Sequence, residues 1–217
     1  MQGFGGEGIV CVRGERQVFA GLDFRVGPGE ALLLTGPNGS GKTSLLRIMA
    51  GLLKPAAGRV LWGGADVRED PEAHRARIAY VGHADAVKPV LTVRENLAFW
   101  AQLFGRDGTA ADERVHAALE HYGLAHLGDV PGRFLSSGQR RRLGLARTLA
   151  APAPLWLLDE PTVGLDEAAR AALEEALAGH RAEGGMVVAA THIPMLADDA
   201  AGLDLAAVGV TEQVHAA

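Results

Sequence analysis

The sequence predicts an α/β fold in which a parallel sheet is covered by helices on both sides. Three observations carry this reading. Ala31-Leu32-Leu33-Leu34, Leu155-Trp156-Leu157-Leu158 and Met186-Val187-Val188-Ala189-Ala190 are apolar without alternation, as strands buried on both faces must be. Helical patterns separate these runs, which is the order of elements in a parallel sheet. The third is Gly36-Pro37-Asn38-Gly39-Ser40-Gly41-Lys42-Thr43, a match to G-x-x-x-x-G-K-[ST] lying between a strand and a helix pattern.

In chain order, Leu22-Asp23-Phe24-Arg25-Val26 alternates like a half-buried strand, and Gly27-Pro28-Gly29-Glu30 is a turn. The buried strand 31–34 follows, then the glycine-rich loop, then a helix from Ser44 towards Leu53. Gly58–Gly64 and Ile78–Val81 are two further short strands. Thr92 with Glu95 three residues on has capping-box form, opening a helix that stops at Gly105. Gly108-Thr109 opens a second helix through Val115, Ala118, Leu119 and Tyr122, ended by Gly123. Ser136 caps a third that runs through Arg141, Leu143, Leu145, Ala146 and Leu149 to Pro152. After the strand at 155–158, Asp166 starts a helix with Leu173 and Leu177 on one face, before the strand at 186–190. The expected organisation is one domain over 1–217. Residues 1–83 and 151–217 form the α/β core with a β portion, and 84–150 form an inserted helical lobe.

The 217 residues, 48% hydrophobic and 22% charged, are ordinary for a soluble globular domain. A net charge of −5 and a pI near 5.9 argue against a nucleic-acid binder working through a broad basic surface. Arg140-Arg141-Arg142 is the one basic run, read as a solvated helix face. Cys11 is the only cysteine, so no internal disulfide forms; it lies in the run Ile9–Val12 and reads as a small core residue. No stretch reaches the ~20 apolar residues that span a bilayer. The N-terminus lacks the basic start and apolar centre of a signal peptide, so the expectation is a cytoplasmic protein that works at a membrane only through a partner.

The chemistry starts at the glycine-rich loop. Gly36, Pro37, Asn38, Gly39, Ser40 and Gly41 let several N–H groups converge on a polyphosphate, with Ser44 opening the helix behind them. Lys42 adds charge near the β/γ-phosphates, and the Thr43 hydroxyl is a Mg²⁺ ligand of the usual kind. A plain glycine turn is the alternative, which the strand-loop-helix context disfavours. Asp159-Glu160 ends the second apolar strand at the edge where such sheets place ligands. Asp159 suits the Mg²⁺ shell, and Glu160 suits orienting or deprotonating the attacking water. Nucleoside triphosphate, ATP with Mg²⁺, is the implied ligand.

Leu135-Ser136-Ser137-Gly138-Gln139 resembles the signature of ATP-binding cassette (ABC) proteins, usually Leu-Ser-Gly-Gly-Gln. Gly164-Leu165-Asp166 is similar to that family's D-loop, and Thr191-His192 to its switch histidine. The resemblance implies a P-loop NTPase cassette with a RecA-like parallel-sheet core, an N-terminal antiparallel β portion and the helical lobe. It also implies an ATP hydrolase in which two copies pair head to tail. Each ATP then lies between one phosphate loop and the other copy's Ser136, Ser137, Gly138 and Gln139. His192 contacts the γ-phosphate, and Asp166 crosses the interface. Three positions depart from the family pattern. Arg13 falls where an adenine-stacking aromatic is usual; its guanidinium either stacks on the base or is a surface charge. Gly82-His83 replaces the usual glutamine, so His83 either approaches the Mg²⁺ water or is a surface residue. Ser137 stands for the first glycine of the pair, a small change.

Tyr80-Val81-Gly82-His83, Lys88, and Leu91-Thr92-Val93-Arg94-Glu95-Asn96-Leu97-Ala98-Phe99-Trp100 resemble the CcmA family of cytochrome c maturation (haem exporter) ATP-binding subunits. Ser137–Leu143, Ala153–Leu158 and Thr191-His192-Ile193-Pro194 are similar to the same family. That resemblance implies a bacterial inner-membrane complex with integral subunits of the CcmB and CcmC type. The chain would sit peripherally on its cytoplasmic face, with hydrolysis serving release of a haem-loaded chaperone. The stretch from Tyr80 to Trp100 should face the membrane partner. His116, His121 and His126 recur every five residues, which spreads them around a helix towards solvent and away from any haem. Rival readings are a cassette of another exporter, a non-transport ABC ATPase and a non-hydrolysing nucleotide-gated scaffold, the last disfavoured by Glu160.

Overall fold

The computed structural model describes residues 3–104, 108–191 and 200–207. Its strands are β1 (Phe4–Arg13), β2 (Arg16–Val26), β3 (Ala31–Thr35), β4 (Ala57–Trp62), β5 (Ala65–Asp66), β6 (Ile78–Val81), β7 (Leu155–Asp159), β8 (Met186–Ala190) and β9 (Ala201–Asp204). Its α-helices are α1 (Lys42–Met49), α2 (Pro71–Arg75), α3 (Val93–Leu103), α4 (Thr109–His121), α5 (Ser137–Ala150) and α6 (Glu167–Ala182). Five strands form a sheet in the order β6-β7-β8-β3-β9, with every neighbouring pair parallel. A separate antiparallel sheet runs β2-β1-β4-β5.

Residue alternation in the central strands divides the interior into two cores. Leu155 and Leu157 of β7, with Met186 and Val188 of β8, pack against α1 and the antiparallel sheet through Leu45, Ile48, Phe4 and Phe19. Trp156 and Leu158, with Val187 and Ala189, face the opposite way onto α3 to α6 through Leu97, Leu119, Leu145 and Leu173. A strand with period-two side chains can serve two cores only if both sets are apolar. Leu155–Leu158 of β7 and all five residues of β8, apolar and buried, meet that condition.

Helices α3, α4 and α5 lie between β6 and β7 in the chain. The Thr92 capping box is present: Thr92 Oγ1 accepts from Glu95 N at 3.2 Å, and Glu95 Oε2 accepts from Thr92 N at 2.7 Å. Buried Asn96 fixes the loop before α3, accepting from Lys88 N at 2.8 Å and donating to Leu91 and Thr92 carbonyls. Helix α5 then runs back antiparallel to the strands. Near its start Arg141 meets the carboxyl ends of β6 and β7, and one turn and a half later Arg147 donates to Tyr80 O within β6.

Several elements differ from expectation. Residues 4–26 form a long β-hairpin rather than one short strand, because glycines obscure the alternation of β1. A Cβ at Gly6 would strike the Phe24 ring, and one at Gly5 would lie 3.0 Å from Phe24 O, so close strand approach requires them. Helix α2 has a full start signal, with the Asp70 side chain accepting from Ala73 N and Pro71 at the first position. His121 is not solvent-facing: its Nε2 lies 2.7 Å from Ala172 O on α6.

Arg141 is the largest correction. Only 6% exposed, it is buried at the junction of α5 with the carboxyl edge of the sheet and is no part of a solvated face. A guanidinium on a helix face is read as solvated by default; carbonyls from distant segments override that default here.

Candidate nucleotide site

A cavity of about 400 Å³ lies at the carboxyl edge of the parallel sheet, in front of α1. Its lining includes Asn38, Gly39, Gly41, Lys42, Thr43 and Ser44 from the loop and helix, with Asp159 and Glu160 from the end of β7. Helix α1 has no side-chain cap and no acidic residue in its first turn, so its first N–H groups are left to a ligand. Gly41 makes this approach possible. Its φ is 103°, and a Cβ there would lie 2.6 Å from Val18 Cγ1 and 2.9 Å from Phe19 Cδ1, so any larger residue would lift the loop off β2.

The Lys42 ammonium donates to Gly36 O at 2.7 Å and Pro37 O at 3.2 Å, which places its charge inside the loop's own curve. Thr43 Oγ1 donates to Asp159 Oδ1 at 3.1 Å. Asp159 is 3% exposed, and its Oδ2 has no hydrogen-bond partner among the described residues. A buried carboxylate oxygen left unbonded is costly unless a cation completes it, so Thr43 and Asp159 are the pair able to hold one. Tyr80 stands nearby, its phenol pushed up by burial and by the negative charge of Asp159.

Glu160 is held in a rare backbone state, φ 47°, with its N–H donating to Ala190 O at 2.7 Å and its carbonyl accepting from Arg141 Nη2 at 2.7 Å. A non-glycine residue in this region stores strain, and such strain collects where a side chain must be aimed.

The remaining predicted residues divide between the cavity and its surroundings. Arg13 lines the cavity from the tip of the β1–β2 hairpin, and so does Arg16, its cross-strand partner, which the sequence reading missed. The two-residue turn Gly14-Glu15 was the available signal, since it sets positions 13 and 16 opposite each other. Ser136, Ser137, Gly138, Gln139 and Asp166 are outside the cavity, and exposed His83 is too. His192 falls outside the described residues. Ser136 caps α5: its Oγ accepts from Gln139 N at 3.2 Å, and Gln139 Oε1 accepts from Ser136 N at 2.8 Å. This capping box consumes acceptor capacity and leaves the hydroxyl proton available to an anion. Gly138 abuts the turn before α6, where a Cβ would lie 3.3 Å from Gly164 O, and Asp166 caps α6 by accepting from Ala169 N at 2.8 Å.

A second concavity, about 610 Å³ and largely apolar, lies between β6, α3 and α5, with Leu52, Tyr80, Trp100, Leu103, Phe104 and Arg147 among its lining residues. The Arg147 guanidinium stands 4.5 Å from the Trp100 ring centroid, and burial pulls its pKa down to about 10.

A phosphate loop after β3, a carboxylate pair at the end of β7 two strands away and a capped signature helix define a nucleotide-binding cassette. The ABC transporter family model matches residues 19–163. Two solved structures share the fold. One, the ATP-binding subunit of an ABC transporter, superposes with a TM-score of 0.82 at 26% identity, over 88% of this chain and 79% of that one. A putative ABC transporter ATP-binding protein from Pyrococcus furiosus gives 0.82 at 24%, over 96% and 100%. Among curated relatives, the cytochrome c biogenesis ATP-binding export protein CcmA of Rhodospirillum rubrum is 62% identical, over 87% of this chain and 79% of its own length. Its counterpart in Paramagnetospirillum magneticum is 56% identical over 97% of both chains. The chain belongs to the CcmA family of ABC transporter proteins, as an ATP-hydrolysing cassette.

Proposed function

We propose that this chain is the ATPase subunit of a bacterial complex for cytochrome c biogenesis. It would act at the cytoplasmic face of the inner membrane through integral subunits of the CcmB and CcmC type. The observation that carries the reading is continuity: 56% identity to a CcmA protein over 97% of both chains spans the ATP site and the apolar concavity together. The concavity lies beside the Tyr80–Trp100 segment and supplies a place for a membrane subunit to dock. Among the described residues no helix is long and apolar enough to cross a membrane, so anchoring falls to such a partner.

At the site, Lys42 and the N–H groups of α1 bind and orient the β/γ-phosphates. Thr43 and Asp159 would hold Mg²⁺, a fit supported by the unpartnered Oδ2 of Asp159 and the adjacent hydroxyl. Mg²⁺, when bound, neutralises phosphate charge as the terminal bond breaks. Glu160 orients the attacking water and accepts its proton. Arg13 lies on the cavity rim where the base would stack. Because Ser136–Gln139 and Asp166 stand off the cavity, they serve a second copy's nucleotide, with Ser136 and the Gly138 N–H meeting the opposing γ-phosphate. His192 would contact the γ-phosphate of its own site. His83, exposed beside the docking segment, belongs to coupling as much as to the Mg²⁺ water. Hydrolysis would separate the two copies and release a haem-loaded chaperone on the far side. The chain itself is not the haem carrier on this reading. Among the described residues no group of three or more His, Cys, Asp or Glu side chains is placed to hold a metal ion.

The test is affinity purification from bacterial membranes, comparing the parent with Leu103→Glu. Leu103 is 62% exposed, so a charge there should spare folding and ATP hydrolysis while releasing the integral subunits and stopping cytochrome c maturation. Capture of no integral subunit by the parent protein, or normal maturation in its absence, would end this assignment.

A further inference from the structure

Arg141 stands out as a buried cation in which every donor is used. A guanidinium has five N–H groups in a fixed planar fork. In this chain Nε donates to Pro161 O at 3.4 Å, Nη1 to Gly82 O at 2.9 Å and to Asp85 Oδ1 at 3.2 Å, and Nη2 to Asp159 O at 2.9 Å and to Glu160 O at 2.7 Å. Five donors meet five acceptors, and four of those are backbone carbonyls. They come from two segments: residues 159–161, leaving β7, and residues 82–85, leaving β6. The residue that joins them is on α5, five positions after its cap Ser136.

The geometry points to Arg141 as a positioning residue for Glu160. Residues 159 and 160 carry the carboxylates of the site, and Glu160 occupies a strained φ of 47°, in a turn that Val163 N–H closes onto its carbonyl at 3.3 Å. The Ala190 carbonyl fixes its N–H from one side, and Arg141 fixes its carbonyl from the other. With the peptide groups on both sides of its Cα held, the direction of the Glu160 side chain is set by the backbone. Because the same guanidinium bonds Gly82 O and Asp85, a shift of α5 moves the aim of Glu160 and the His83 segment together. The helix that presents Ser136 is thereby tied to the group that activates water. The proposal rests on the assignment of Glu160 made above. Lysine cannot substitute, since three donors on a point charge cannot span acceptors from two segments.

A double-mutant cycle tests it, using the full-length protein with single-turnover ATP hydrolysis, fluorescent-ATP affinity and thermal unfolding. Arg141→Lys is expected to lower kcat by ~10-fold or more while ATP affinity stays within about threefold, since the phosphate loop is untouched. In the Glu160→Gln background the same change should alter the residual rate by less than about twofold, because there is no longer a base to aim. Glu160→Gln with parental activity would remove the assignment beneath the proposal and the proposal with it. An inactive Glu160→Gln, combined with a fully active Arg141→Lys or with losses that simply add, would overturn the role of Arg141 alone. If Arg141→Lys fails to fold, Asp85→Ala loosens the same clamp from a half-exposed side. It should lower kcat by ~3-fold at unchanged KM, and a change confined to KM counts against the proposal.

Discussion

Thr43 and Asp159, 116 positions apart in the chain, meet with Oγ1 3.1 Å from Oδ1, and Asp159 Oδ2 is left without a hydrogen-bond partner among the described residues. That half-satisfied carboxylate marks the place for a cation. Asp159→Asn keeps the shape and removes the charge. ATP affinity measured with Mg²⁺ should fall ~10-fold, about 1.4 kcal/mol, while affinity in chelator should match the parent. Equal losses in both conditions would show that Asp159 only shapes the cavity.

Lys42 and Glu160 should fail in different ways. Lys42→Ala deletes a phosphate contact and should weaken ATP binding in a fluorescence titration. Glu160→Gln should bind ATP as tightly as the parent yet lose ~100-fold in turnover, about 2.7 kcal/mol of barrier. Intact turnover in the Glu160 variant would remove that residue from catalysis.

Ser136 lies outside its own chain's cavity, and on the proposed function it serves a second copy's nucleotide. The Glu160→Gln protein should shift to a dimer on gel filtration with ATP and remain a monomer with ADP. Adding Ser136→Arg should abolish the shift and leave ATP binding to the monomer unchanged. A dimer that persists in the double variant argues against a composite site.

Stability should be acid-sensitive through His74. Only 2% exposed, this side chain sits 2.8 Å from Met49 O through Nε2 and stacks on Phe4. Burial lowers its pKa below 6.5, with the Met49 carbonyl opposing that shift and Arg77 and Arg75 adding to it. The unfolded chain then binds more protons just below pH 6.5. This contribution is therefore complete above that pH and lost as pH falls through the native value. His180, also depressed by burial, acts in the same direction. Melting temperature should drop from pH 7 to 5 in the parent and drop less in His74→Gln, which can still donate to Met49 O. Parallel pH curves for the two proteins would exclude His74.

The parts of the site carried by contiguous residues were legible in the sequence, because local chemistry dictates them. The loop at 36–43 and the cap at Ser136 need glycine, lysine and serine at fixed spacings, and β8 and the first four residues of β7 announce burial by having no polar position. Residues defined by distant partners were not legible. Arg141 looks like a surface charge until carbonyls from 82 and from 159–161 surround it. Arg16 enters the cavity only through hairpin register, and His121 finds its partner 51 positions away on α6. Strand β1 was obscured because its glycines serve a neighbour's aromatic ring rather than its own pattern.

Helix α5 leads straight into β7 and runs antiparallel to it, while α1 descends from the same sheet edge after β3. The two helix starts, at Lys42 and Ser137, thus share one rim of the molecule, and each carries roughly half a positive elementary charge. Lys42, Arg13 and Arg16 add full positive charges at that rim, against the carboxylates of Asp159 and Glu160, on a chain with a formal balance of −5. Bringing two such pairs of helix starts face to face would be repulsive without anions between them. The tetraanion of a triphosphate screens that repulsion better than a diphosphate does, so association should respond to ionic strength as well as to nucleotide. In dilute salt with no nucleotide the copies should avoid each other most strongly, and inorganic polyphosphate should relieve part of that avoidance without any base to stack.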